Sequence, residues 1–270
     1  MWRKLLGGLL LLGLPVFVAA PASTGPAVFH RPIVAVGASQ SNNWSGYNQG
    51  TLESNGKLFS QVSGDWIVPT ATAHKSGEAE YSSTWVGIGG GCVTADCLVT
   101  DGTLIQAGTE QDVNSGGPPY SAWWELIPAP AITIDNFTVR PGDHIHASIA
   151  EAAPGSEVWT ITLQDLSRGE TFTQTVPYSS THATAEWIEE TPVVIDSNGN
   201  VSVGPLPKLS TVTFDLAQTN GANAGLKASE EIQLVDFDGN VLATPSAPDK
   251  DTDGFNDCTY AGSCRAPRRS

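Results

Sequence analysis

The chain has 270 residues, with 13 Lys and Arg against 28 Asp and Glu, which gives a formal net charge of −15. This acidic balance argues against nucleic acid as a partner, because phosphate binding needs clustered Lys and Arg. Hydrophobic residues make up 40% of the chain, enough for a folded core, while charged residues make up only 15%. Few charges mean few salt bridges to lose at low pH, so the composition is compatible with work in acid.

The N-terminus has the pattern of a secretory signal peptide. Arg3 and Lys4 precede an apolar run over residues 5–19, and Ala20-Pro21-Ala22 supplies small residues for cleavage. The run is shorter than the ~20 residues that a membrane span needs. We therefore expect residues 1–22 to be removed and the protein to be secreted, with no membrane association afterwards. Residues 23–42 are rich in Pro, Ala, Ser and Gly without periodicity, which is typical of a linker or a short pro-segment.

Residues 43–270 are predicted to form a single all-β domain. Short runs rich in Val, Ile, Thr, Trp and Tyr alternate with turn signals such as Ser54-Asn55-Gly56 and Arg140-Pro141-Gly142-Asp143. Residues 59–62 and 64–68 are two of these runs, predicted as separate strands on either side of residue 63. About a dozen strands at this spacing indicate a β-sandwich or a barrel. No stretch shows a sustained helical period of 3.6 residues.

The four cysteines fit an exported protein. Cys92 and Cys97 are close in sequence, as are Cys258 and Cys264, and each pair could close a small loop. Three connectivities are open, of which we expect 92–97 with 258–264. Zinc binding is the alternative, but this spacing without a nearby His is poor for zinc.

Several familiar hydrolase motifs are absent from the sequence. There is no HExxH, no G-x-S-x-G, and no Asp-Thr-Gly or Asp-Ser-Gly. The remaining candidates for functional residues are polar residues inside strand-like runs, namely Gln106, Glu125 and Glu186. Because side chains alternate with period two along a strand, each of them lies on a single sheet face. The plain alternative is that all three face solvent.

Around these residues the sequence resembles the glutamic peptidases, or eqolisins, from about residue 43 to residue 246. The resemblance rests on six segments in the same order: Asn43-Trp44-Ser45-Gly46, Gly64-Asp65-Trp66-Ile67-Val68-Pro69, Trp85-Val86-Gly87-Ile88, Leu104-Ile105-Gln106-Ala107-Gly108-Thr109, Tyr120-Ser121-Ala122-Trp123-Trp124-Glu125 and Ala185-Glu186-Trp187-Ile188-Glu189.

The resemblance implies an antiparallel β-sandwich of two curved sheets, a lectin-like jelly roll, and a pepstatin-insensitive acid endopeptidase. Gln106 and Glu186 would be the catalytic residues. Glu186 would take a proton from the attacking water and return it to the leaving nitrogen, while Gln106 would stabilise the oxyanion. Trp85 and Glu125 are expected to contact substrate near them. We expect protein or peptide substrates, no metal, no cofactor and a monomer.

One position departs from the family pattern. Gly89 stands where the family often has an Asp that supports the catalytic pair, which puts the strength or pH optimum of the activity in question. Two other functions stay open: a glycoside hydrolase that uses Glu125 and Glu186 across an aromatic cleft, and a binding sandwich without catalysis.

The C-terminal region partly matches the sequence motif of an EF-hand calcium-binding loop. Asp249, Asp251, Asp253 and Gly254 follow the D-x-D-x-D-G pattern, but the twelfth position, which needs Glu in an EF-hand, is Tyr260. A turn that leads into a last strand near residues 255–260 is the preferred interpretation.

Overall fold

Strands make up nearly all the regular secondary structure of the computed structural model, which describes residues 27–195 and 198–268. The predicted signal peptide, residues 1–22, lies outside the described residues. A single 3-10 turn, Ala228–Glu230, interrupts the strands in the part that is described. The strands are β1 Ala27–Phe29, β2 Ala35–Gly37, β3 Gln40–Ser41, β4 Trp44–Gly50, β5 Gln61–Ile67, β6 Ala71–Thr72, β7 Ser83–Gly89, β8 Leu104–Gln111, β9 Tyr120–Leu126, β10 Ile132–Thr133, β11 His144–Glu151, β12 Val158–Asp165, β13 Glu170–Pro177, β14 Thr184–Glu190, β15 Val193–Ile195, β16 Val201–Val203, β17 Lys208–Leu209, β18 Val212–Thr219, β19 Ala222–Asn223, β20 Glu231–Val235, β21 Val241–Pro245 and β22 Phe255–Thr259.

Two antiparallel sheets form a sandwich, as the resemblance implied. The front sheet has the order β10-β9-β8-β7-β14-β4-β20. The back sheet has the order β13-β12-β11-β5-β18-β22-β21-β20. Strand β20 pairs with β4 through its first half and with β21 through its second half, so it joins the two sheets along one edge.

Alternation along the strands decides which side chains fill the space between the sheets. In β14, Ala185 and Trp187 point into this main core, where they meet residues of the back sheet such as Val62. The intervening residues of β14 therefore lie on the opposite, outer face of the front sheet. A second hydrophobic cluster covers that outer face and includes Trp85 and Ile188.

Gly64 explains why one predicted boundary differs from the structure. The sequence favoured two runs on either side of residue 63, but a single strand, β5, continues through this glycine. A Cβ atom at position 64 would lie 2.7 Å from Cδ1 of Trp187. The indole Nε1 of Trp187 donates a hydrogen bond of 2.8 Å to the carbonyl of Ser63. Glycine here allows the ring to approach the backbone and does not mark a turn.

The segment that was expected to be a linker or short pro-segment is packed onto the domain in its described part. Strand β1 pairs with β15, and strand β3 pairs in parallel with β20. His30 and Ile33 are 1% and 7% exposed. The sequence pattern gives no sign of this packing, because strands of two or three residues carry no periodic signal.

Two disulfides close the expected local loops, Cys92–Cys97 and Cys258–Cys264. The predicted last strand is also present, as β22, which carries Cys258. Within the described ranges, the structure contains no helix of the length and apolarity that a membrane crossing requires.

The close contact at Gly64 gives a stability prediction. Gly64→Ala should lower the free energy of unfolding by about 1–3 kcal/mol, because the added methyl group collides with the buried indole of Trp187. Urea denaturation measures the change. Gly102→Ala is the matched control, since a Cβ there meets nothing within 4 Å. Equal stability of the two variants would contradict the packing described.

Candidate active site

Four neighbouring strands of the front sheet place one polar row on its outer face. Glu186 of β14 lies directly opposite Gly87 of β7, Gly87 opposite Gln106 of β8, and Gln106 opposite Glu125 of β9. Residues directly opposite each other in antiparallel strands share a face. The sequence-predicted residues Gln106, Glu125 and Glu186 are thus brought together, and Asn48 of β4 extends the row beyond Glu186.

Gly87 stands between Glu186 and Gln106 in the row, and the space above it is here called the gap. The two backbones are two strand spacings apart, roughly 10 Å. A Cβ at position 87 would lie 2.9 Å from Oε1 of Glu186 and 2.8 Å from Cζ3 of Trp85. The Trp85 ring, predicted to line the site, and the Glu186 carboxyl group therefore occupy the gap. Glycine at position 87 admits them, because any larger residue would collide with both.

Gln106 is held by the neighbouring carboxyl group. Its Nε2 donates a hydrogen bond of 2.8 Å to Oε2 of Glu125, and both side chains are buried. A side-chain amide nitrogen carries two N–H groups, so the second N–H of Gln106 can donate a hydrogen bond to another group. The Oε1 atoms of Gln106 and Glu125 are buried and have no hydrogen-bond partner among the described residues.

The carboxyl group of Glu186 lies in an environment that favours its neutral form. Its exposed fraction is 0%, and within the described part of the chain neither oxygen makes a hydrogen bond of standard geometry, although the Thr184 hydroxyl is close enough to favour the carboxylate. Burial raises the pKa of Glu186 well above its ordinary value, and the nearby Asp101 carboxylate adds to the shift. Burial also raises the pKa of Glu125, to about 7.

Residues 27–34, here called the N-terminal strap, cross this face. On one side of the polar row, the His30 ring stacks on Trp123 at 3.7 Å between ring centroids, and its Nδ1 lies 2.8 Å from Oε2 of Glu190. On the other side, the backbone N–H of Ile33 donates to the carbonyl of Gly90 at 2.8 Å. The stretch between His30 and Ile33 therefore lies against the outer face beside the row. The segment after β7 also covers the row, since the N–H of Cys92 donates a hydrogen bond of 2.9 Å to Oδ1 of Asn48.

Side chains of the domain fasten the strap at two points. The Asn43 Oδ1 accepts a hydrogen bond of 2.7 Å from the N–H of Val34, and its Nδ2 donates to the carbonyls of residues 31 and 32. Burial lowers the pKa of His30, but the carboxylates of Glu190 and Glu110 more than offset this and raise it to about 10. The strap is thus held by a buried ion pair as well as by backbone hydrogen bonds.

A pocket of about 430 Å³ opens beside the strap and reaches Glu125. Its lining comes from the strap, from the loop after β9, and from β15: Phe29, His30, Arg31, Pro32, Glu125, Ile127, Pro128, Ala129, Val193 and Ile195. The wall is mostly apolar, and Glu125 is the point at which it meets the polar row.

Several residues that shape the site were not predicted from the sequence. Glu190 could have been found from period two, since it lies four positions after Glu186 and on the same face. His30 could not be predicted as a site residue, because it lies in residues 23–42, which have no periodic pattern and were expected to be a linker or short pro-segment. Asp101 precedes β8 in a loop, where alternation does not apply.

The structure also accounts for Gly89. Its φ is +92°, and a Cβ there would lie 2.1 Å from the carbonyl oxygen of Thr103. An Asp is excluded at this position by the backbone as it stands. The carboxyl group near Glu186 comes instead from Asp101, whose Oδ1 accepts a hydrogen bond of 2.9 Å from the N–H of Thr103.

The architecture and the polar row together define a class: a two-sheet β-sandwich with a glutamine and a glutamate on the outer face of one sheet. A sequence profile of the Peptidase A4 family matches residues 42–253. The chain therefore belongs to the Peptidase A4 family, the family of the glutamic peptidases. Family and fold together support a peptidase function.

Solved structures of glutamic peptidases share the fold. Scytalido-glutamic peptidase with a transition state analog inhibitor is 21% identical, with a TM-score of 0.62, over 81% of this chain and 98% of that one. SCP-B, an eqolisin in complex with the tripeptide Ala-Ile-His, is 21% identical with a TM-score of 0.56 over the same shares. Aspergilloglutamic peptidase from Aspergillus niger is 24% identical with a TM-score of 0.52, over 67% and 99%. Comparison with curated proteins gives no significant match.

Raised pKa values in the folded state predict greater stability in weak acid than at neutral pH. Burial raises the pKa of Glu125 to about 7, of Asp112 to about 8 and of Asp257 to about 7. The folded state therefore binds more protons than the unfolded state between about pH 4 and pH 8, and the free energy of unfolding falls as pH rises through that window.

Thermal denaturation between pH 5 and pH 8 measures this effect. We expect the Tm to be lower at pH 8, and Glu125→Gln should reduce the difference because one of the groups no longer titrates. A Tm that rises from pH 5 to pH 8 would contradict the raised pKa values.

Proposed function

We propose that this protein is a secreted acid endopeptidase in which Glu186 and Gln106 activate a water molecule against a peptide carbonyl. The observation that carries the proposal is the row in which Gly87 separates the Glu186 carboxyl group from the Gln106 amide. A scissile carbonyl and a water molecule that replace the Trp85 ring over Gly87 would have a proton acceptor on one side and a hydrogen-bond donor on the other. Protein or peptide chains are the proposed substrates.

Glu186 is the proposed general base and then the general acid. As a carboxylate it accepts a proton from the attacking water, and the resulting carboxylic acid protonates the departing nitrogen. The high pKa of Glu186 belongs to the covered state, since burial is its main cause. Opening of the face to water would lower that pKa toward its ordinary value near 4.3 and supply the carboxylate in acid.

Gln106 is the proposed oxyanion donor. An amide does not titrate, so its N–H groups remain donors at any acidic pH. Glu125 accepts one of them and fixes which end of the amide faces the gap. The second N–H can then stabilise the negative charge that develops on the carbonyl oxygen. Trp85 would form the wall of the gap, and Glu125 would position Gln106 as well as border the pocket for substrate.

Secretion is supported by the signal-like residues 1–22 and by the two disulfides, which are typical of oxidising compartments. The proposed mechanism needs no metal and no cofactor, because both proton transfer and oxyanion stabilisation come from side chains. A monomer is sufficient for it, since all the proposed residues belong to one face of one sheet.

We also propose that the N-terminal strap is a pro-segment. It lies against the face that substrate would have to reach and borders the pocket at Glu125, so we expect the covered state to be inactive. Glu125 is one of the acids that attract His30, and burial raises its pKa to about 7, so it is neutral in acid. The attraction between the strap and the row is therefore weaker in the conditions that suit the catalytic pair.

The geometry argues against a glycoside hydrolase. A glycoside hydrolase of this kind needs both carboxyl groups available to the sugar and its attacking water. Here Oε2 of Glu125 accepts a hydrogen bond of 2.8 Å from the Gln106 amide, so Glu125 is engaged in holding Gln106.

Substitution of the proposed pair tests the function. Glu186→Gln and Gln106→Ala should each lower kcat for a denatured protein substrate at about pH 3 by at least ~10²-fold, because the base or the oxyanion donor is lost. Pepstatin and a chelator are present throughout, and circular dichroism checks the fold. Glu125→Gln is the matched control on the same row, and it should retain measurable activity because its side chain can still accept from Gln106.

Two results would contradict the proposal. Activity retained in a folded Glu186→Gln or Gln106→Ala variant would exclude the pair. Absence of proteolysis from the wild-type protein after removal of the strap would favour a binding sandwich.

Cleavage of the strap tests its role as a pro-segment. A site for a specific protease placed at residues 37–39, which are exposed, allows the chain to be cut while the domain stays intact. After a shift to acid, mass spectrometry should detect the released N-terminal peptide, and the hydrolysis rate should exceed that of the uncut protein. The same site at residues 237–239 is the control. An equal rate before and after cutting and release would exclude an inhibitory strap.

A further inference from the structure

Three aspartates far from the polar row converge on one point of the back sheet. Asp215 lies in β18, and Asp249 and Asp253 lie in the loop between β21 and β22. One carboxylate oxygen from each lies within 4.8 Å of the other two. Gly254 forms the floor, since a Cβ there would lie 2.7 Å from Oδ2 of Asp249 and 3.2 Å from Oδ1 of Asp215.

The two loop aspartates are buried and incompletely bonded. Asp249 and Asp253 are 9% and 8% exposed. Oδ1 of Asp249 accepts hydrogen bonds from three backbone N–H groups of residues 252–254, which accounts for the shape of the loop. Its other oxygen, Oδ2, has no partner among the described residues, and neither has Oδ1 of Asp253. The loop turn therefore uses one oxygen of Asp249 and leaves the second directed at the cluster.

The spacing of the oxygens matches a calcium ion. Calcium binds oxygen ligands at about 2.3–2.6 Å, so two oxygens on the same ion lie at most roughly 5 Å apart. All three donors are carboxylates, which suits a hard cation and not zinc, whose structural sites use nitrogen and sulfur. Calcium also takes backbone carbonyls and water to complete six to eight ligands.

Electrostatics agree with this geometry. The carboxylates of Asp215, Asp249 and Asp253 are held within 4.8 Å of one another, and Asp251 adds another acidic residue in the same loop. Like charges held together in this way repel each other, and a divalent cation among them would remove the repulsion.

We propose that Asp215, Asp249 and Asp253 form a calcium site that fastens the loop before β22 to β18. The site differs from an EF-hand in composition. The D-x-D-x-D-G run contributes its first and third aspartates, and the remaining carboxylate comes from a distant strand and not from the twelfth loop position, which is Tyr260. The role is structural: the ion would hold the C-terminal strand, with Cys258, against the back sheet.

The test uses the full chain after treatment with a chelator, at pH 7. Addition of 10 mM CaCl₂ should raise the Tm by roughly 3–6 °C, as expected for a site with Kd near 0.1–1 mM in a domain of this size. Calorimetric titration with CaCl₂ should give one site. Asp215→Asn and Asp253→Asn should each abolish the Tm shift without unfolding the protein, because amides keep the volume and relieve the repulsion.

Asp251→Asn is the matched control, since it removes one charge from the same loop outside the cluster, and it should keep most of the shift. No effect of CaCl₂ on the wild-type Tm would overturn the proposal, as would a shift that persists in Asp215→Asn and Asp253→Asn. An equal shift with MgCl₂ would overturn the assignment to calcium. None of these outcomes depends on peptidase activity.

Discussion

The register of the four front-sheet strands is the constraint on which the candidate site depends. Glu186, Gly87, Gln106 and Glu125 form one row only because β14, β7, β8 and β9 pair with these residues directly opposite one another. A slip of one residue in any strand would turn its polar side chain into the main core. The indoles and aliphatic side chains that fill the core therefore also fix the positions of the catalytic candidates, because Ala185 and Trp187 must point inward for Glu186 to point outward.

Burial of the polar row creates a second constraint, which links the site to the N-terminus. Carboxyl groups lose hydration when they are covered, and the resulting rise in pKa keeps Glu186 and Glu125 neutral in the covered state. The strap lies against the same face and places one cation, His30, beside the acids of the outer face. Uncovering the row and ionising Glu186 are thus two aspects of the same change, which ties the proposed acid activity to release of the strap.

The sequence predicted the parts of the site that alternation controls. Gln106 and Glu186 stand in strands whose neighbours are apolar, so period two assigned each to one face, and the family resemblance paired them. The strap was missed because its strands are too short for a pattern. Asp215 was missed because its contact with Asp249 and Asp253 joins positions more than 30 residues apart, which no local motif records. The strand boundary predicted at residue 63 was wrong because glycine at position 64 serves to admit the Trp187 ring, which lies more than a hundred residues away in sequence.

Replacement of Gln106 by Glu tests the central claim most directly, since the new side chain has the same shape but donates a hydrogen bond only when protonated. The measurement is the pH profile of kcat/KM for the wild type and Gln106→Glu after removal of the strap. A non-titrating oxyanion donor predicts that the variant works in acid but loses activity as pH rises through the pKa of the new carboxyl group, at a pH where the wild type is still active. Superimposable profiles would contradict the role assigned to Gln106, and with it the account of the row.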